Sequence, residues 1–423
     1  MIFDRLSFCL FLLLGCFFFT GASAQVFQGY PVPPPPPEPG APQQPANGEK
    51  VYSLDSTFYR WDETTIQWLD ADSNAHWEKQ LPKHSYGHMA KNSQHIGMAG
   101  VETIYTDGYA SETILHLDLL DLEGNATGQM TLSNAKGITL AAIAADEDYF
   151  YLAYEKYMGS SDRDMFVAKV DALGDLQWET NLGQRYGTSG TRLLQVDPEG
   201  NIVLFAKMYK EVGFDVLTKE GVIKDRKMLY FTNECSPVAF TFRKNGHLLA
   251  IGSQRKYVKS ETFSSSVIFE LDGQYQVLQY CQIQSPYTDV AQDITEDKQG
   301  HIFFLTNAED MKGPYGKRAN FCTIGELDAN MELLQTSSFQ NTSTGLNLQL
   351  AWSSTHGLWS YQRYYNQGQT FALFQFGEDL SIENIWSKRG SYSDPHQLLL
   401  TEDAFYLGGG SRDSWMVKMP RFY

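Results

Sequence analysis

Three histidines crowd one stretch, KHSYGHMAKNSQH, which places His84, His88 and His95 within Lys83 to His95. Three imidazoles so spaced suit a zinc or copper ion that takes its fourth ligand from outside. No Cys or carboxylate stands beside them at ligand spacing. The stretch therefore reads as a connection whose His88 and His95 fall on different strands. Acidic pairs recur at Asp70-Ala71-Asp72, Asp146-Glu147-Asp148 and Asp162-Arg163-Asp164. They could hold calcium loosely, but none has the dense alternation of a dedicated loop. Asp that caps its own backbone in a tight turn accounts for them more economically. The sequence contains no Ser nucleophile elbow, Walker loop, HExxH or EF-hand loop, and its histidines show no shared position. No catalytic residue, cofactor or resident metal is expected.

Tyrosine gives the stronger pattern. Tyr109, Tyr157, Tyr209, Tyr257, Tyr315 and Tyr364 recur at regular intervals, and Tyr86, Tyr186, Tyr287 and Tyr392 form a second series flanked by Gly, Ser and Pro. Arg185, Lys256, Arg318 and Arg363 stand close by. Amphipathic aromatics beside Arg and Lys suit a binding surface for protein, peptide or glycan. The first series is regular enough to be packing encoded in a repeat, whereas Tyr86, Tyr186, Tyr287 and Tyr392, with Arg185, are the candidate partner-binding residues.

The elements that position them are short β-strands. Tight turns at Asp72-Ser73-Asn74, Glu123-Gly124, Leu173-Gly174, Glu220-Gly221, Asp272-Gly273, Ala329-Asn330 and Glu378-Asp379 recur roughly every 50 residues. A second series, including Asp197-Pro198-Glu199-Gly200 and Asp297-Lys298-Gln299-Gly300, follows half a period later. Each unit then reads as four strands, for example MFVAKVD, LQWETNL, TRLLQVD and NIVLFAK, and nothing long has helical periodicity. Such units imply an all-β propeller, most simply of seven blades, because each blade buries its faces only against neighbours. The last residues, from Asp413 to Lys418, echo Asp164 to Lys169. The chain thus ends on one extra first strand, expected to close the ring beside VYSLDSTFYRW. Turns one and three of each blade share one face. The longer connections, with the tyrosines, share the other.

The chain opens with an apolar run ending at Ala22-Ser23-Ala24, which reads as a signal peptide over residues 1–24. Leu13-Leu14-Gly15-Cys16 offers the alternative of lipoprotein anchoring through Cys16. Residues 25–50, with PVPPPPPEPGAPQQPANGE, form a Pro-rich disordered spacer, and 51–423 form the propeller. No second apolar run is long enough for a membrane span. The charge of −17 argues against nucleic acid and anionic membranes as partners. Only Cys235, Cys281 and Cys322 outlast processing, enough for one disulfide at most.

Asp164, Phe166, Lys169, Asp171, Gly174, Trp178, Asp197, Gly200 and Asn201 resemble the repeat of secreted bacterial β-propeller proteins. The match is good in one repeat and diffuse in the others. The resemblance implies a fold and an export route, and no activity. DALGDLQW also resembles the tryptophan-docking repeat of quinone-cofactor dehydrogenases, with its Asp-to-Gly spacing one residue short. The expectation is a monomeric, exported, non-enzymatic binding or scaffold protein, secreted, periplasmic or at the cell surface. The alternative is a polysaccharide-acting lyase or hydrolase with its site at the central channel.

Overall fold

The strand YFYLAYEKY sends Phe150, Leu152 and Tyr154 to one side and Tyr149, Tyr151 and Ala153 to the other, as period-two geometry requires. Both sides are apolar, so the strand needs a neighbour on each face. In the computed structural model Phe150, Leu152 and Tyr154 pack with Leu115 and Leu117 of one sheet, and Tyr151 and Ala153 with Leu194 and Leu204 of the next. The backbone is described for residues 24–28, 50–54, 57–61, 77–80 and, apart from short connections, 85–420, and side chains within 88–383.

Six four-stranded antiparallel sheets are built from consecutive strands. Sheet I comprises Ser85–Lys91, His95–Thr106, Tyr109–Asp121 and Ala126–Asn134. Sheet II comprises Ile138–Ala145, Tyr149–Tyr157, Arg163–Asp171 and Leu176–Gly183. Sheet III comprises Arg192–Val196, Ile202–Met208, Glu211–Leu217 and Ile223–Leu229. Sheet IV comprises Glu234–Phe242, Leu248–Val258, Glu261–Leu271 and Val277–Gln284, with Ala24–Gln28 parallel to its outer strand. Sheet V comprises Thr288–Glu296, Ile302–Asp310, Ala319–Leu327 and Leu333–Asn341. Sheet VI comprises Gln349–Ser353, Gly357–Tyr365, Gln369–Phe376 and Ile382–Arg389. First strands of consecutive sheets lie against one another. Every apolar cluster sits between two sheets, where each fully buried Phe or Leu contributes about 1.5–3 kcal/mol.

The sheets are offset by two strands from the unit read in the sequence. MFVAKVD and LQWETNL are the third and fourth strands of sheet II, while TRLLQVD and NIVLFAK supply the first two of sheet III. Turn spacing fixes a period, but the choice of which turn ends a sheet belongs to packing. The chain terminus obeys the corrected phase. Trp415–Pro420 is a third strand, pairing on one side with Ala404–Gly409 and on the other with Trp77–Gln80. VYSLDSTFYRW is therefore not its partner: Lys50–Leu54 pairs with Thr57–Trp61.

Each third-to-fourth turn places its fourth residue in the left-handed region. Gly fills this position in sheets I to III, as Gly124, Gly174 and Gly221, but Tyr275, Met331 and Leu380 take it in sheets IV to VI with φ of 59°, 62° and 58°. The side chains explain why that strain is tolerated. All three are buried and plug the cleft toward the preceding sheet. Where Gly stands, the neighbour moves in instead: a Cβ on Gly221 would lie 2.7 Å from the Trp178 ring. Trp178 Nε1 also donates to the Lys219 carbonyl at 3.0 Å, so the docking-like tryptophan ties sheet II to sheet III. Gln279 and Gln335, at the same repeat position, donate to the Ala329 and Glu378 carbonyls of the next sheet. Cys235, Cys281 and Cys322 are buried, and no disulfide joins them.

Two glycine variants separate backbone strain from contact. Gly200, with φ of 82° and no atom near its missing Cβ, should cost about 1 kcal/mol as Gly200→Ala. Gly221→Ala adds the Trp178 clash and should cost about 3 kcal/mol. Urea unfolding measures both, and equal losses would contradict the docking role of Trp178.

Candidate interaction face

The second and third strands of sheet I are its longest, His95–Thr106 and Tyr109–Asp121. Their flanking strands stop short: Ser85 pairs with Val101, and Asn134 with Thr113. Beyond Thr103 and Thr113 the two strands continue alone as a ribbon, with residues 104–106 as one half, extending roughly 10 Å at about 3.3 Å per residue. Glu102 accepts a hydrogen bond from His116 Nε2 at 3.1 Å and braces the base of the ribbon. Near its tip a register shift follows Ile104, and Ile104 and Tyr105 are 37% and 68% exposed. Large apolar groups held on a strand ribbon are anchors available to a partner.

Sheet II presents a second element at the same end. Tyr157 closes the second strand, and its N–H donates to the Gly137 carbonyl at 3.0 Å. The Arg163 guanidinium stacks 4.1 Å from the ring centroid, while its Nη1 lies 3.5 Å from Glu155 Oε2. Gly137 admits the ring from below, since a Cβ there would meet Tyr157 at 2.9 Å. Lys136 Nζ donates to the Met158 carbonyl at 2.9 Å, and the Met158 side chain is exposed. The arrangement offers a rigid aromatic, a stacked cation and a thioether, which suit a polar or aromatic partner surface. Deeper in the sheet, burial and then Glu179 push the Tyr154 phenol far above its ordinary range, keeping it neutral.

The corrected phase exchanges the roles of the two tyrosine series in the repeat. Tyr157, Tyr257 and Tyr364 close second strands, whereas the connections holding Tyr186, Tyr287 and Tyr392 join one sheet to the next. The Tyr157 ring packs on Gly137 and Arg163. Tyr86 lies in the first strand of sheet I opposite Gly100, beside a register shift. Its side chain, and Arg185, Tyr186, Tyr287 and Tyr392, lie outside the described residues. Ile104, Tyr105 and Met158 were not singled out from the sequence; the excess length of sheet I's two middle strands was the available signal.

At the opposite end carboxylates are consumed in turns. Asp121, Asp171, Asp272 and Asp328 each accept two backbone N–H groups with one oxygen, at 2.7–2.9 Å. Asp146 behaves alike and also accepts the Tyr151 hydroxyl, so the acidic pair that it opens is a turn cap, whereas Asp164 accepts the Asn181 side chain and Asp70 and Asp72 lie outside the described residues. His88 and His95 lie on different strands of sheet I. Two other histidines do share a repeat position, against the sequence reading: His247 and His301 follow Gly246 and Gly300, and bond Glu270 at 2.6 Å and Glu326 at 2.8 Å. Their signal was the dipeptide Gly-His after each turn. Among the described residues no three His, Cys, Asp or Glu side chains gather as a metal site.

On the first strand of sheet V, a register shift between Ala291 and Asp293 re-aims the chain. Asp293 Oδ2 accepts the Leu350 N–H of sheet VI at 2.7 Å, and Oδ1 accepts the Ile294 N–H at 2.8 Å. Burial of the carboxyl outweighs these two bonds and pushes it up to about 7. The Tyr361 phenol is raised by burial and by the Asp293 charge.

Four-stranded antiparallel sheets, neighbouring through their first strands and with every core between sheets, define a β-propeller. By sequence the chain matches no family model and no curated protein. By structure it is similar to the polysaccharide lyase Uly1, with a TM-score of 0.51 and 10% identity over 81% of this chain and 91% of that one. It also resembles YCF48 bound to D1 peptide (TM-score 0.49, 13% identity, 83% and 97% covered) and Drosophila Plexin A in complex with Semaphorin 1b (TM-score 0.49, 8% identity, 82% and 87% covered). At these identities the likeness is one of fold.

Asp293 yields a pH dependence with a defined sign. Its folded value lies above its unfolded one, so between about pH 4 and 7 the native state holds a proton that the unfolded chain has released. Stability from this group is full at the acid end and falls as pH rises through 7. Asp293→Asn should therefore remove a downward slope on the order of 2–4 kcal/mol between pH 4.5 and 7.5. Urea unfolding at several pH values measures it, and parallel curves would refute the assignment.

Proposed function

We propose that the protein is an exported, non-enzymatic β-propeller of seven four-stranded blades, which binds a protein, peptide or glycan through the face formed by its longer connections. The observation that carries this reading is the sheet I ribbon with exposed Ile104 and Tyr105, beside the Tyr157–Arg163 stack and Met158 of sheet II. Tyr86, Tyr186, Tyr287, Tyr392 and Arg185 belong to the same face in this reading. The histidines of the opposite face are tied to Glu270 and Glu326, which supports a structural use for them over general acid–base work. Ile104→Ser with Tyr105→Ser is expected to weaken partner binding about tenfold to a hundredfold, with the circular dichroism spectrum and Tm unchanged. Tyr186→Ala with Tyr287→Ala should act likewise, and Asp197→Asn on the opposite face should not. A partner that ignores the first two changes and responds to the third would reverse the choice of face.

Seven blades are supported by the terminal sheet, in which Pro395–Leu400, Ala404–Gly409 and Trp415–Pro420 are joined by Trp77–Gln80. Its first strand lies against the first strands of both sheet VI and sheet I. Ladder bonds between chain ends lock a ring more firmly than any connection does. Truncation before Trp415 should therefore lower Tm by roughly 10 °C, whereas deleting residues 29–49 should leave it nearly unchanged. Equal Tm values for the two deletions would exclude closure by this strand. The second reading, a polysaccharide-acting lyase or hydrolase, draws on Asp293 at the first strand of sheet V. It predicts cleavage of an acidic polysaccharide that Asp293→Asn abolishes, detected as new chain ends.

A further inference from the structure

In sheets I, II, III and V the residue that opens the first-to-second turn caps that turn with its own side chain, and sheet IV departs from this. Asn92, Asp146, Asp197 and Asp297 each turn a side-chain oxygen back onto two N–H groups of their own turn, at 2.7–3.0 Å. Sheet IV has Arg243 there. The backbone turn is kept, with Gly246 N–H donating to the Arg243 carbonyl at 2.9 Å, and the cap passes to Asn245, whose Oδ1 accepts the His247 N–H at 3.0 Å. The Arg243 side chain is thereby released from its own turn and reaches sheet V.

Its guanidinium meets carboxylates from both sheets. Nη1 lies 2.7 Å from Glu270 Oε2 on the third strand of sheet IV, and Nε lies 2.8 Å from Glu296 Oε1 on the first strand of sheet V. Nη1 and Nη2 also donate to the Ala329 and Gly300 carbonyls at 3.4 Å, one in each short turn of sheet V. The Arg243, Glu270 and Glu296 side chains are 6%, 3% and 8% exposed. A buried ion cluster at a position where other sheets have a neutral or self-capping group is costly to desolvate, and losing one partner costs more than the cluster contributes.

We infer that Arg243 is an acid-released latch between the turn ends of sheets IV and V. Burial alone would raise the Glu270 carboxyl, but bonds from Gln279, His247 and Arg243 outweigh it and hold the group below its ordinary range. A depressed carboxylate contributes stability above its unfolded pKa and loses it as pH falls through the folded value. Once Glu270 is protonated, the guanidinium stays charged and buried with its counter-charge reduced to Glu296. The other charged groups facing the cluster do not replace the lost carboxylate. Lys244 bonds the Lys298 carbonyl and donates its N–H to Glu296, Asp297 caps its own turn, and Glu326 is held by His301. At this end the seams between sheets II and III and between V and VI use donors to carbonyls, Trp178 to Lys219 and Gln335 to Glu378, which do not titrate on the acid side, while the III–IV seam has the Tyr275 hydroxyl donating to Asp197 at 3.3 Å. The apolar core of Leu249, Ile251 and Ile268 against Ile294, Ile302 and Phe304 stays in place, so release loosens the turn end and leaves the sheets packed.

Hydrogen exchange on the full exported chain, corrected for intrinsic rates, tests this. Between pH 6 and pH 3 protection of residues 243–249 and 296–302 should fall at least tenfold, while residues 202–217 of sheet III keep theirs. The charge-free variant Arg243→Met, Glu270→Gln, Glu296→Gln should show equal protection at both pH values. Should it not fold, Glu296→Gln alone should move the loss to higher pH, since one carboxylate then holds the guanidinium. Uniform loss over all sheets, the same drop in the charge-free variant, or an unmoved midpoint in Glu296→Gln would overturn the latch.

Discussion

No sheet in this protein can bury its own surface. Each strand alternates two apolar faces, and each face finds cover only on the adjacent sheet, so Phe150 and Tyr151, consecutive in the chain, belong to different cores. Everything else follows from that dependence. The first strands must approach one another, the outer strands must splay apart, and each turn must fit the sheet beside it as well as its own hairpin. A chain built this way gains stability by interfaces, and losing one interface exposes two faces at once.

The turns show how the dependence is met with unlike residues. One left-handed position is needed in every third-to-fourth turn. Sheets I to III supply glycine and let a neighbour press in, as Trp178 does on Gly221, whereas sheets IV to VI accept strained Tyr275, Met331 and Leu380 because their side chains fill the cleft. Backbone freedom and cleft volume trade against each other at one site. The same economy governs charge. Part of the acidic composition goes to aspartates that satisfy turn N–H groups, whereas Arg243 spans a seam.

These constraints leave one end of the molecule free to vary. Short turns are committed to capping and to ties between sheets, so length differences collect at the other end, where sheet I extends its ribbon. Adaptable length, exposed Ile104 and Tyr105, and a stacked Tyr157–Arg163 pair are properties a recognition surface needs, and the fold supplies them without disturbing a core.

The sequence by itself determined the strand class, the repeat length and which turns share an end, because period-two alternation and Gly- or Asp-bearing turns are local signals. The phase of the repeat was beyond its reach: the long connections before MFVAKVD and after LQWETNL look alike, and only the ladder pairings decide that a sheet ends after LQWETNL. For the same reason the partner of Trp415–Pro420 was misplaced, because WEKQ is too short to announce itself as a strand until a ladder holds it. Histidine function was hidden likewise. His247 and His301 differ from exposed turn residues only through Glu270 and Glu326, which are 23 and 25 positions further along and reach them across neighbouring strands. Local conformation is written in adjacent residues, whereas the choice between equivalent partners is made by burial, and burial exists only once the sheets have met.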